Sequence, residues 1–235
     1  MHKLIIAIAS VAIFASCSEK KQNGNLDITG NIKGLKKGKL YIQRIQDSTL
    51  VAIDTIVLDG KSNFETNIQL DSPEMLYLYL DRGASNSIDN NLLFFAEPGK
   101  MNIDTDLEFF LANAKITGSK NEELYEQYKS IISKFNDQQL ELVKDELLAL
   151  KEKKAIPEGN DKKQDVILKH KYLYSANFAL TNANHEVAPY IALTDIYDMN
   201  IKYLDSILKS MSPAVAKSKY GKKFTEYLAE RKKQE

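Results

Sequence analysis

Apolar and polar residues alternate with a period of two through the first half of this chain and adopt helical spacing in the second. Leu26, Ile28 and Ile32 alternate with Asp27, Thr29 and Asn31, the pattern of a strand buried on one side only. A turn at 36–39 leads into a strand over 40–45. The β-branched run Thr49 to Leu58 then closes at Asp59-Gly60, which predicts a hairpin turn. Phe64, Thr66, Ile68 and Leu70 oppose Glu65, Asn67 and Gln69, and further strands are expected over 75–80 and 90–96. Glu97-Pro98-Gly99-Lys100 suits a type II turn, with proline and glycine at its two central positions. Met101, Ile103, Thr105 and Leu107 alternate again, and a last short strand is expected over 115–117. Seven to eight short strands with no helix between them predict an antiparallel β-sandwich or open barrel over residues 26–118.

The period changes at Gly118. Ser119 to Glu122 reads as a capping box, the serine oxygen and the glutamate carboxylate each satisfying a free amide at a helix start. Leu124, Tyr128, Ile131, Ile132 and Phe135 share one helical face, and this stripe shifts near Gln138. Pro157-Glu158-Gly159-Asn160 breaks the helix, and a second one is expected from Asp161 to Thr181, making a long antiparallel hairpin. Shorter helices are predicted around 188–197 and 201–209, an N-cap and N1 proline at Ser212-Pro213, and a last helix over 219–232. The fold class expected is α+β, a sandwich followed by a helical region over 119–235.

The N-terminus carries a different signal. A basic Met1-His2-Lys3 precedes an apolar run from Leu4 to Phe14, too short to span a bilayer, which needs about 20 residues. Phe14-Ala15-Ser16-Cys17 resembles the lipobox of bacterial lipoproteins. That resemblance implies a signal peptide over 1–16, cleavage before Cys17, and acylation of Cys17 as the attachment to the lipid bilayer. Ser18, where an aspartate would retain the chain at the inner membrane, implies the outer membrane. The polar stretch 17–25 is expected to be a flexible tether.

Composition narrows the chemistry. Lys+Arg equals Asp+Glu at 32 each, so no overall basic charge argues for nucleic acid. With Cys17 the only cysteine, the mature chain has neither a disulfide nor a Cys-x-x-Cys pair nor a catalytic thiol. The histidines are His2, His170 and His185, too scattered for the roughly four convergent ligands of a zinc site. Asp104 and Asp106 lie on one strand face without an EF-hand loop around them and read as solvated. No nucleophile elbow or glycine-rich phosphate loop occurs, so neither a catalytic set nor a cofactor or metal is expected. Tyr77 and Tyr79 share a strand face opposite Leu76, Leu78 and Leu80. They could stack on a sugar or peptide, or lie covered by the helical hairpin.

The order of several motifs resembles a known family. Ile28-Thr29-Gly30 with Gly34-Leu35, then Asp59-Gly60, the run 94–103 around Glu97-Pro98-Gly99, and Ile116-Thr117-Gly118-Ser119 are similar to the domain-of-unknown-function 4369 family. The resemblance implies a β-rich extracytoplasmic lipoprotein domain that, in longer members, precedes a helical segment and a thioredoxin-like domain. The Trp-Cys-x-x-Cys stretch of that last domain has no counterpart here, so no redox residue carries over. The expectation is a non-catalytic binding or assembly module with an envelope protein partner, accessory to a thiol–disulfide system. Its rivals are a hydrolase-like enzyme, with a site between sandwich and helices, and a purely structural lipoprotein.

Overall fold

The computed structural model describes residues 24–83, 87–155 and 159–234, so the signal segment and Cys17 lie outside the described residues. Strands β1 (Leu26–Lys33), β2 (Lys37–Gln46), β3 (Thr49–Asp59), β4 (Asn63–Ile68), β5 (Glu74–Asp81), β6 (Asn91–Ala96), β7 (Gly99–Asp106) and β8 (Lys115–Thr117) follow in order. They form two four-stranded sheets, β4-β1-β7-β8 and β3-β2-β5-β6. Leu26, Ile28 and Ile103 from the first meet Leu40, Ile42, Leu76 and Leu78 from the second in one buried core. The alternation has this cause: each strand hides one side between the sheets and wets the other.

Among the described residues all strand pairs are antiparallel but one, since β1 and β7 run parallel. Four strands of the other sheet lie between them in sequence, so no hairpin constrains their relative direction. One turn differs from expectation. Asp59-Gly60 does not close a hairpin within a sheet, because β3 and β4 belong to different sheets. Turn chemistry specifies that the chain reverses; the partner of the next strand is set by long-range burial, here β4 against β1. The true hairpin joins β2 to β3 through Asp47 and Ser48, both at positive φ (47° and 69°), the type I′ geometry that suits strand twist.

Helices α1 (Lys120–Lys151), α2 (Asn160–Thr181), α3 (Val187–Thr194), α4 (Ile201–Ser210), α5 (Pro213–Lys217) and α6 (Lys219–Gln234) complete the chain. Ala179, Ala188, Ile196, Leu204, Ile207, Phe224 and Leu228 make a second core among them. A third cluster joins the halves: Met75 and Phe95, from the outer side of the second sheet, pack with Leu124, Tyr128, Phe178, Val187 and Ile191. Tyr128 is the last buried residue of α1, and in α2 burial past Asn160 resumes only at Ser175. The distal half of the α1–α2 hairpin therefore stands clear of both cores. Among the described residues no helix is long and apolar enough to cross a membrane.

Candidate binding surfaces

The join between sandwich and helices is built around the start of α1. Ser119 Oγ accepts the Glu122 N–H at 3.0 Å, as a capping serine should. The Glu122 carboxylate does not turn back to the serine amide. Its Oε2 instead accepts the N–H of Phe95 at 2.6 Å, on the free edge of β6. The second capping role passes to Glu97 of the Glu-Pro-Gly turn, whose Oε2 accepts from Ser119 Oγ, Asn121 N and Asn121 Nδ2 at 2.9–3.0 Å. Asn121 Oδ1 in turn accepts the Val187 N–H at 2.9 Å and so caps α3. Gly118 makes the approach possible, since it sits at φ +95° and a Cβ there would lie 2.0 Å from the Lys100 carbonyl oxygen.

The turn and the helix start that stand apart in sequence are thus one hydrogen-bonded unit. Residues 26–125 match the family model of DUF4369, a domain of unknown function. Over these residues the chain is similar to DUF4369. No curated protein and no solved structure matches the chain. The matched DUF4369 region includes all eight strands and the first turn of α1, and so contains Glu97, Ser119, Asn121 and Glu122 together.

Electrostatics at this join follow from burial. Loss of water pushes the Glu122 carboxyl up to about 7, with the Phe95 N–H pulling the other way and Glu126, one turn on, raising it further. Glu122 Oε1 is buried and accepts no hydrogen bond. Around it Phe95 meets Tyr190 and Tyr220 edge-on at 5.7 and 5.9 Å, and Tyr125 meets Tyr190 at 5.8 Å. Burial raises the Tyr190 hydroxyl to about 12 and drives those of Tyr125, Tyr128 and Tyr220 upward as well. Tyr220 OH accepts the Met75 N–H at 3.0 Å, and Lys219 pairs with the buried Glu74, which Arg44 also reaches at 3.3 Å. These groups bind the helices to the sheet.

Tyr77 and Tyr79 do share the outer side of β5, half-buried, opposite the fully buried Leu76, Leu78 and Leu80. Their surroundings differ. Tyr77 lies near enough to Tyr190 and Tyr220 to raise their hydroxyl pKa values, and burial raises its own. Tyr79 instead faces Tyr41 across the strand pair, rings 6.1 Å apart. The helices take one tyrosine of the pair, and the open pair is Tyr41 with Tyr79. Cross-strand register decides this, and it is not legible in β5 alone.

The other residues singled out in the sequence have local roles. Asp106 accepts from Phe109 N and Asn113 Nδ2 at 2.7 and 2.6 Å, the Asn113 bond first among the causes that hold its carboxyl below the usual range. Asp104 Oδ2 accepts from Asn102 Nδ2 at 2.7 Å. His170 is exposed on α2, and His185 donates its backbone N–H to Asn182.

The described residues include two surface hollows. One of about 480 Å³ lies on the polar outer side of the first sheet, among Thr29, Asn31, Asn63, Glu65, Asn102 and Asp104. The other, about 680 Å³, runs between the helices of the distal hairpin. Its floor is Leu142, Val166 and Ile167; Asp137 and Glu141 form one wall, Lys162 and Lys163 the other. The hairpin also leaves Leu140, Val143, Leu147 and Leu150 between 41% and 63% exposed, on a helix that ends in solvent. Sequence reading passed over this stripe, although its 3-4-3 spacing and the break near Gln138 are its visible trace.

Proposed function

We propose that this chain is a non-catalytic binding or assembly module of the bacterial envelope, held to a membrane by an acylated Cys17. The distal α1–α2 hairpin is its contact surface. The observation that carries the reading is the apolar stripe Leu140, Val143, Leu147 and Leu150, left unburied on the part of α1 beyond Tyr128, the last buried residue of that helix. Contiguous exposed apolar surface is disfavoured in a protein that works alone and usual at an interaction site. The sequence Phe14-Ala15-Ser16-Cys17 supports the anchor, and Ser18 supports the outer membrane as its place. A partner in thiol–disulfide exchange fits the family resemblance, because Cys17, the only cysteine in these 235 residues, is taken by the lipid in this reading.

Site-directed photo-cross-linking in cells tests the contact surface. A photoreactive phenylalanine in place of Leu147 should give a discrete adduct, and one in place of Glu65, on the first sheet, should give none. Absence of any adduct from Leu147 would remove the hairpin as a binding surface. Palmitate labelling of wild type and Cys17→Ser tests the anchor separately; equal label in both would rule out acylation of Cys17.

A further inference from the structure

The exposed stripe on α1 has a regular period. Gln139, Leu142, Glu146 and Ala149 are the half-buried positions that face α2. Glu146 Oε1 accepts from Gln164 Nε2 at 3.1 Å across that seam. Leu140, Val143, Leu147 and Leu150 each follow one of these residues by one, so the 100° turn per residue puts them on a second side of the same helix. The opposite side, with Gln138 and Glu141, lines the hollow against Lys163 and Val166. Leu140, Val143, Leu147 and Leu150 therefore form a stripe of their own at the spacing of coiled-coil a and d positions.

We propose that this stripe seats a second copy of the chain, the two α1 helices packing in parallel and in register about a two-fold axis along the hairpin. The proposal rests on the binding reading above and names its partner. Charge decides both the partner and the direction. With Leu140 at an a position, Gln139 and Glu146 fall at g, and Lys144 and Lys151 at e. A parallel pair sets g against e of the other helix five residues on. Glu146 then meets Lys151 of the second copy, and Gln139 meets Lys144, twice over by symmetry. An antiparallel pair would set e against e, bringing Lys144 beside Lys151 of the other copy. The margins of the stripe are thus complementary to themselves in one orientation and repulsive in the other, as a two-fold contact between identical surfaces requires. The ion pair that Lys144 makes with Glu141 is exposed and yields readily to a new neighbour.

The helices that meet are already folded, so association does not have to order them. Two heptads make a short contact, and tethering both copies to one membrane would raise their effective concentration. The parallel axis suits that arrangement, because it leaves both sandwiches at the same end of the pair.

The test uses the full-length chain. With Cys17→Ser as background, Leu150→Cys should form an intermolecular disulfide on mild oxidation, and Val143→Cys likewise, each with its own symmetry mate. Adding Leu140→Lys and Leu147→Lys should lower the yield about tenfold while the far-ultraviolet circular dichroism is unchanged. A disulfide formed only when Leu140→Cys and Leu150→Cys chains are mixed would mean an antiparallel pair and would overturn the arrangement. The adduct formed in cells from the photoreactive residue at position 147 separates the remaining outcomes. An adduct of twice the chain mass supports the second copy. An adduct of any other mass overturns the second copy and leaves the binding reading standing, and no adduct overturns both.

Discussion

Glu122 Oε2 takes the backbone N–H of Phe95 at 2.6 Å, so the first turn of α1 closes the free edge of β6. An open edge strand is a template for pairing with other chains, and here a helical side chain supplies the acceptor the sheet lacks. The carboxyl loses its water in doing so, which is why its pKa rises.

A pH dependence follows. The ordinary Glu122 value is 4.5 and the folded value about 7, so between these the folded chain holds a proton that the unfolded chain has released. Stability from this group is undiminished below about pH 4.5 and is lost as pH rises through 7, by roughly 3 kcal/mol at most. Urea unfolding of the full chain should give a lower midpoint at pH 8 than at pH 5. Glu122→Gln keeps an acceptor for Phe95 and should flatten that slope; an unaltered slope would assign the pH dependence to another group.

Glu97 accepts three hydrogen bonds at the start of α1, two of them from Asn121. Glu97→Ala should cost about 1–3 kcal/mol, since it strips an acceptor from donors on Ser119 and Asn121, both buried. Glu97→Gln should recover part of the loss. Chemical unfolding of the three proteins measures both.

Gly118 is demanding on two counts, its φ of +95° and the nearness of the Lys100 carbonyl. Gly118→Ala should destabilise by about 2–4 kcal/mol, beyond the ordinary glycine-to-alanine change, because strain and a clash add. A thermal midpoint within a degree of wild type would contradict the geometry.

Tyr220→Phe retains the ring contacts with Phe95 and Tyr190 but leaves the Met75 N–H without its acceptor. The expected loss is about 1–2 kcal/mol, and amide exchange at Met75 should accelerate.

Leu140→Ser and Leu147→Ser remove side chains that are 63% and 61% exposed, so each should change the stability of the isolated chain by under about 0.5 kcal/mol. Both should nevertheless lower the yield of the disulfide that Leu150→Cys forms between chains. Loss of the fold in either variant would mean that the stripe is part of a core.

Much of the architecture follows from the sequence alone. Period-two alternation along Leu26 to Ile32 and Phe64 to Leu70, and helical spacing after Ser119, are enough for a sandwich followed by helices, because each strand and helix must hide one side. The family motifs around Glu97-Pro98-Gly99 and Gly118-Ser119 are legible in the same way. Tertiary structure decided the rest. Asp59-Gly60 joins two sheets, β1 runs parallel to β7, and Glu122 leaves its own helix cap for Phe95, all through contacts between residues far apart in the chain. Tyr77 turns out to lie with the helices and Tyr79 with Tyr41 for the same reason. Local propensity states what a segment wants to bury; only the packed chain settles which surface receives it, and which, like Leu140 to Leu150, it leaves exposed.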